Sequence, residues 1–276
     1  MTREIACQFG DGASLAGIVI EPPAAHQSVA CVVVTAGLAP KFGPFRLYSA
    51  LSRRLAEAGF ITLRFDLGGV GDSAPGRVGA TLMQRTDEEI RAALDHVAKT
   101  YHIDRIMLCG SCSGAENAFR YAATDPRVVG VAMIDPFGYR TSGWKWRHAL
   151  HRVVRRTLRA LGVYQPLDFS SVAAPVQGDK HTRLVQYHYL ERPQSEAILR
   201  TLLERGTRLH FIYTGAMLDT FNHRGQLKKM FPALHFRDRV TVDHFPNSEH
   251  SPVLSAYRQQ LVESIGRVAA SAFPRQ

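Results

Sequence analysis

Much that would announce a special class of protein is missing from this chain. Of 276 residues only four are cysteine, Cys7, Cys31, Cys109 and Cys112. Four are too few, and two of them too close together, for a disulfide scaffold. No apolar run reaches the roughly 18 residues that a membrane-crossing helix needs. Met1-Thr2-Arg3-Glu4-Ile5 is not followed by an apolar signal core, so a reducing, cytoplasmic setting is expected. There is no internal repeat and no low-complexity tract. No Gly-x-x-x-x-Gly-Lys loop and no dinucleotide fingerprint occur, and no nucleic-acid motif. Acidic residues are scarce: 24 Asp and Glu face 34 Lys and Arg, a net charge of +10. That excess favours an acidic partner without naming it. Hydrophobic residues at 45% and charged residues at 21% are globular values, and the length suffices for an unstapled core.

What is present is alternation. Residues 30–34, 60–63, 105–108, 128–134, 209–213 and 240–242 are short apolar runs rich in β-branched side chains and bounded by Gly, Pro or Asp. They read as buried strands. Residues 4–9 and 14–20 alternate around Gly10-Asp11-Gly12, which predicts an N-terminal hairpin. Helical stretches lie between the strands. Leu47, Leu51 and Leu55 share one face ahead of Gly59. Thr86-Asp87-Glu88-Glu89 reads as a capping box before Ile90, Leu94 and Val97. Another helix starts near Ser113 and ends at Asp125-Pro126. Ser251-Pro252 reads as the start of the last one. Strands alternating with helices imply a mostly parallel, doubly wound α/β sheet. The rhythm breaks over residues 137–195, too long for a bare loop in a compact domain. The expected organisation is therefore a core of residues 1–136 and 196–276 with a helical lid inserted at 137–195.

The most informative stretch is Cys109-Gly110-Ser111-Cys112-Ser113-Gly114-Ala115, where a buried strand runs into a helix through small residues. A nucleophile held at such a sharp turn needs small residues two before and two after it. Ser111, Cys112 and Ser113 could each hold the apex. Only Cys112 is flanked by Gly110 and Gly114, so Cys112 is chosen.

With this motif the chain resembles the α/β-hydrolase superfamily over nearly its whole length. Thr35-Ala36-Gly37-Leu38 stands where that family's oxyanion-hole loop starts. Leu63-Arg64-Phe65-Asp66-Leu67-Gly68-Gly69-Val70-Gly71-Asp72-Ser73 is similar to its loop after the fourth strand. Cysteine at the elbow is the pattern of dienelactone hydrolases and polyhydroxyalkanoate synthases. Gly43-Pro44-Phe45-Arg46 adds a weaker similarity to hydrolases found beside exopolysaccharide and exosortase genes. The resemblance implies the order nucleophile, acid, histidine. His250, after the last strand, takes the histidine slot. Asp219, past Gly215, takes the acid slot, with Asp135 at the end of an earlier strand as the alternative. The backbone N–H groups of Ser113 and of Leu38 or Gly37 would form the oxyanion hole. No cofactor or metal is implied, because the trio supplies its own nucleophile and base.

These residues describe acyl transfer. A thiol attacks an acyl carbonyl, the imidazole handles the proton, and the carboxylate fixes the imidazole. The thioester so formed can pass its acyl group to water, an alcohol, an amine or another thiol. Two other readings stand beside it. One is a non-catalytic protein of the same fold that binds a carrier, a lipid or another partner. The other is a redox pair of Cys109 and Cys112, without the second pair that zinc would need.

One charge signal lies inside the expected lid. Arg140, Lys145, Arg147, Arg152, Arg155, Arg156 and Arg159 meet no Asp or Glu between residues 140 and 159, and Trp144, Trp146, Leu150, Val153, Val154, Leu158 and Leu161 are interleaved. A solvated lid face explains this pattern. So does docking of an acidic partner: the phosphates of coenzyme A, an acyl carrier protein, or an anionic membrane surface. The donor is expected to be an ester or a thioester on coenzyme A or a carrier protein.

Overall fold

A computed structural model of the chain describes residues 2–24, 26–76, 78–162 and 190–274. Eight strands form one sheet in the order β1-β2-β4-β3-β5-β6-β7-β8. The hairpin expected at the N-terminus is β1 (Arg3–Phe9) and β2 (Leu15–Glu21), paired antiparallel. β2 also pairs antiparallel with β4 (Thr62–Phe65). From there every neighbour is parallel, through β3 (Ala30–Val34), β5 (Ile106–Ser111), β6 (Val128–Ile134), β7 (Arg208–Thr214) and β8 (Val240–Phe245).

Side chains alternate across the sheet and feed two apolar layers. On one face Cys31, Val33, Met107, Cys109, Ala132 and Ile134 pack against α1 (Leu47–Glu57) and α7 (Ser255–Ala272). The three leucines at helical spacing in α1 are all buried there. On the other face Val32, Val34, Leu63, Leu108, Val131 and Phe211 meet α2 (Leu82–Tyr101), α3 (Ser113–Ala122) and α5 (Arg192–Arg205). Both faces are covered, which is why the strands read as continuous apolar runs.

Two helix starts differ from expectation. The capping box of α2 is Thr81 with Gln84: the Thr81 hydroxyl accepts from the Gln84 N–H and the Gln84 side chain accepts from the Thr81 N–H. Thr86 lies a turn inside, donating to the Leu82 carbonyl. Both sites offer a hydroxyl followed three residues later by Glu or Gln, so the motif alone could not choose between them. The last helix starts at Ser255, and Ser251-Pro252 belongs to the loop before it.

Between β6 and β7 the chain carries α4 (Ser142–Ala160) and α5. Residues 163–189 of the expected lid fall outside the described residues. α5 already packs on α3 with Leu199 and Leu202 buried, so its first residues, 192–195, continue a core helix. A short helix, α6 (Gln226–Met230), follows β7. No helix among the described residues is long and apolar enough to cross a membrane.

Candidate active site

The turn from β5 into α3 carries the strain that the sequence implied. Cys112 sits between them at φ 51 and ψ −125, a region non-glycine residues rarely occupy. A Cβ on Gly110 would lie 2.5 Å from the Gly114 backbone, and one on Gly114 would lie 2.4 Å from the Val34 carbonyl oxygen. Only glycine fits at either place. The register is therefore fixed by backbone contact, with Cys112 at the apex. Its N–H donates to the Ile134 carbonyl at 2.8 Å, which pins the turn to the end of β6.

The flanking serines are engaged elsewhere. Ser111 is buried, and its hydroxyl lies 2.7 Å from that of Tyr48, itself fully buried in α1. Burial pushes the Tyr48 phenol up to about 12. The Ser113 hydroxyl accepts the Gly37 N–H at 2.8 Å. Gly37 thus spends its donor on Ser113. Of the two loop N–H groups expected to face an oxyanion, that leaves Leu38. Ser113, at the first helical position, has an N–H that the helix itself cannot satisfy.

His250 reaches this turn from the loop after β8. Gly215 and that loop are held together, since the Gly215 N–H donates to the Ser248 carbonyl at 2.8 Å. A Cβ on Gly215 would lie 2.5 Å from the Pro246 carbonyl oxygen. His250 hydrogen-bonds the Asp135 carboxylate through Nδ1, at 2.9 Å. The Asp135 hydrogen bond and one to Cys112 raise His250 to about 10, since both favour the imidazolium. With Nδ1 held by Asp135, Nε2 is left for the sulfur.

The carboxylate bonded to His250 is Asp135, the alternative offered by the sequence, and not Asp219. Asp135 follows β6 at φ 52, buried, and accepts the Thr214 N–H at 2.7 Å and the Thr214 hydroxyl at 2.6 Å besides His250. Asp219 is exposed in the loop after β7 and makes no side-chain bond to His250. Its backbone carbonyl instead accepts Arg140 Nε at 2.8 Å, while the Trp144 indole donates to Leu218. The segment holding Asp219 is occupied in seating α4.

Sequence reasoning passed over several groups around the turn. Lys41 Nζ donates to Asp66 at 2.6 Å and also pairs with Asp72, while the Lys41 and Asp72 N–H groups both bond Asp66. This cluster ties the loop of Gly37 and Leu38 to the loop after β4. Glu116, buried in the first turn of α3, accepts the Leu190 N–H at 2.7 Å, and burial raises it to about 7. Nothing in local spacing marks Tyr48, Lys41 or Glu116, because their partners lie far away in the chain. The redox pair is not supported by placement. Cys109 is fully buried in the sheet, where its sulfur neighbour is Cys31 of β3.

The expected basic surface is divided. Arg140 lies over the Trp144 ring at 4.6 Å, and Arg147 donates to Asn222, so both turn toward the body. Lys145 and Arg156 are exposed. The side chains of Arg152, Arg155 and Arg159 lie outside the described residues. Two cavities, of about 190 and 290 Å³, open at the opposite edge of the sheet, lined by residues such as Arg208, Arg239 and Phe273, and do not include Cys112.

An apex thiol, an imidazole and a buried carboxylate in line can form and discharge a covalent intermediate. The family model described as serine aminopeptidase, S33, matches residues 26–206. The chain belongs to this S33 family of α/β-hydrolases. Solved structures agree on the fold. A serine α/β-hydrolase from Xanthomonas campestris, described as lacking a lid, is 16% identical with a TM-score of 0.59, covering 100% of this chain and 96% of that one. An esterase domain from Rhodothermus marinus is 18% identical with a TM-score of 0.59, over 98% and 99% of the two chains. A Pyrococcus furiosus esterase is 13% identical with a TM-score of 0.59, over 99% and 93%. No curated protein matches. The family is described by serine, and this S33 member has Cys112 at the apex.

Proposed function

We propose that the chain is an acyl-transfer enzyme, a hydrolase or acyltransferase, that works through a covalent acyl-Cys112 intermediate. One observation carries the reading: the apex residue of the elbow is a thiol beside the His250 imidazole, and that imidazole is held by the buried Asp135. His250 is the base and Asp135 the orienting carboxylate. The resemblance to cysteine-bearing dienelactone hydrolases and polyhydroxyalkanoate synthases supports the thiol as nucleophile. The occupied hydroxyls of Ser111 and Ser113 argue against a serine one register away.

The steps balance within the chain and its substrate. The Cys112 sulfur bonds to the acyl carbon of an ester or thioester, and its proton passes to His250 Nε2. The Ser113 and Leu38 N–H groups receive the developing oxyanion, each such donor contributing about 2.7–4 kcal/mol to transition-state stabilisation. When the tetrahedral centre collapses, the bond to the leaving alcohol or thiol breaks and His250 gives it the proton. Water or another acceptor then attacks the thioester, loses its proton to His250, and expels Cys112. Asp135 keeps Nδ1 protonated throughout, so that Nε2 faces the sulfur. The inserted segment that carries α4 acts as a lid and selects the acyl group.

The test is intact-protein mass measurement after mixing with p-nitrophenyl esters and acyl-coenzyme A thioesters. Wild type should gain an acyl mass mapped to Cys112 or turn the donor over. Cys112→Ala should form no adduct and lose about 10⁴-fold or more in turnover. Full turnover by Cys112→Ala, or wild type inert to every donor, overturns the reading.

A further inference from the structure

The chain's exposed apolar side chains are not scattered. In a parallel sheet the segments that leave the strands' C-terminal ends share one edge, and Cys112, Asp135 and His250 stand at that edge. Every large hydrophobic residue exposed among the described residues lies in one of those segments. Leu38, Phe42 and Phe45 follow β3, and Val78, Leu82 and Met83 follow β4. Val253 and Leu254 follow β8. The remaining five lie on or just after α4, beyond β6. Among the described residues the opposite edge has none. Single exposed apolar residues need no explanation, but their confinement to one edge does.

The largest share belongs to α4, and its two sides differ. Trp144 is turned inward, its indole bonded to Leu218. Trp146, Leu150 and Val153 recur at i, i+4 and i+7 on the side away from Trp144, and they are 80%, 64% and 62% exposed. Lys145 and Arg156 are exposed beside them. The sequence from 140 to 159 adds five further cations and no carboxylate. An apolar stripe with Trp, flanked only by positive charge, is the composition of a helix that lies in a membrane interface.

We infer that this edge of the molecule docks on an anionic lipid bilayer, with α4 lying in the interface. Charge complementarity selects the lipid headgroups as acidic partner, and the apolar residues need a layer into which to insert. Coenzyme A would answer the charge but would leave Trp146, Leu150 and Val153 in water, whereas a bilayer takes up both. The inference concerns binding and does not depend on the chemistry of Cys112.

Cosedimentation of the full chain with phosphatidylglycerol and with phosphatidylcholine vesicles tests it. Binding to phosphatidylglycerol should be at least about tenfold tighter and should weaken with added salt. In a Trp144→Phe background the emission of Trp146 should shift to the blue on those vesicles. Trp146→Ser with Leu150→Ser should cost about tenfold or more in binding, and Lys145→Glu with Arg156→Glu a similar factor. Cys112→Ala should bind like wild type, which separates failure of docking from failure of the acyl mechanism. Equal binding to both lipids, no binding to either, or undiminished binding by both double variants overturns the proposal. So does burial of Trp146 in a dimer, seen by sedimentation without lipid. Capture of an acidic carrier protein without vesicle binding also overturns it.

Discussion

His250 and His210 keep similar company. His250 stands with Cys112 and Asp135. His210, on β7, stands with Ser264 at 2.9 Å and with Asp243 beyond it at 3.8 Å. Around His250 the carboxylate bonds the imidazole directly, and the histidine side chain is 40% exposed. Around His210 the Ser264 hydroxyl intervenes, donating to Asp243 at 2.6 Å, and Arg267 also occupies that carboxylate. His210 is 1% exposed. Burial lowers it to about 4, against the pull of Asp243, whereas its counterpart is raised to about 10. The residue types alone do not make a reactive site. A carboxylate must reach the ring itself, and the far side of the ring must stay open.

Replacing the two carboxylates in turn bears most heavily on that contrast. Asp135→Asn keeps the shape but presents the wrong tautomer to Cys112, so acyl turnover should fall about 10⁴-fold. Asp243→Asn should leave turnover unchanged and cost about 1–3 kcal/mol of stability, read from urea midpoints. Asp219→Asn should also leave turnover unchanged. If Asp219→Asn proves the crippling change and Asp135→Asn does not, the proposed trio is wrong.

The two rings should also tilt stability against pH in opposite directions. The folded value of His250 lies above its ordinary 6.5, so its stabilisation is complete below 6.5 and is lost as pH rises through about 10. The folded value of His210 lies below 6.5, so its contribution is complete above 6.5 and is lost as pH falls through about 4. Melting temperatures against pH should show His250→Gln flattening the alkaline limb and His210→Gln the acid limb. Unchanged limbs in both variants would remove the physical basis of the contrast.

The smallest effects are expected from the neighbouring hydroxyls. Ser264→Ala strands His210 Nε2 in a buried place and should cost about 1–3 kcal/mol. Tyr48→Phe removes one bond to Ser111 beneath the elbow and should cost about 1 kcal/mol. Equal urea midpoints for the two variants would argue that His210 is less sealed than its burial implies.

Local signals served well where the constraint was local. The leucines of α1 and the strand runs were legible because burial follows period and composition. Helix starts were less so, because Thr81-x-x-Gln84 and Thr86-x-x-Glu89 are equally good capping boxes on paper. The family order points to a slot after β7, whereas the carboxylate bonded to His250 follows β6. The loop after β7 is instead committed to α4 through the Leu218 and Asp219 carbonyls.

The sequence by itself determined the alternating α/β architecture and the elbow with Cys112 between two obligatory glycines. It also determined a run of seven cations without a counter-charge. These follow from the size, period and charge of residues close together in the chain. Only the tertiary structure decided that Asp135 meets His250 across 115 positions, that Gly37 gives its N–H to Ser113, and that Trp144 turns in while Trp146 turns out. Those outcomes depend on which strand ends lie side by side. Strand order is a property of the whole sheet, and no single stretch of sequence encodes it.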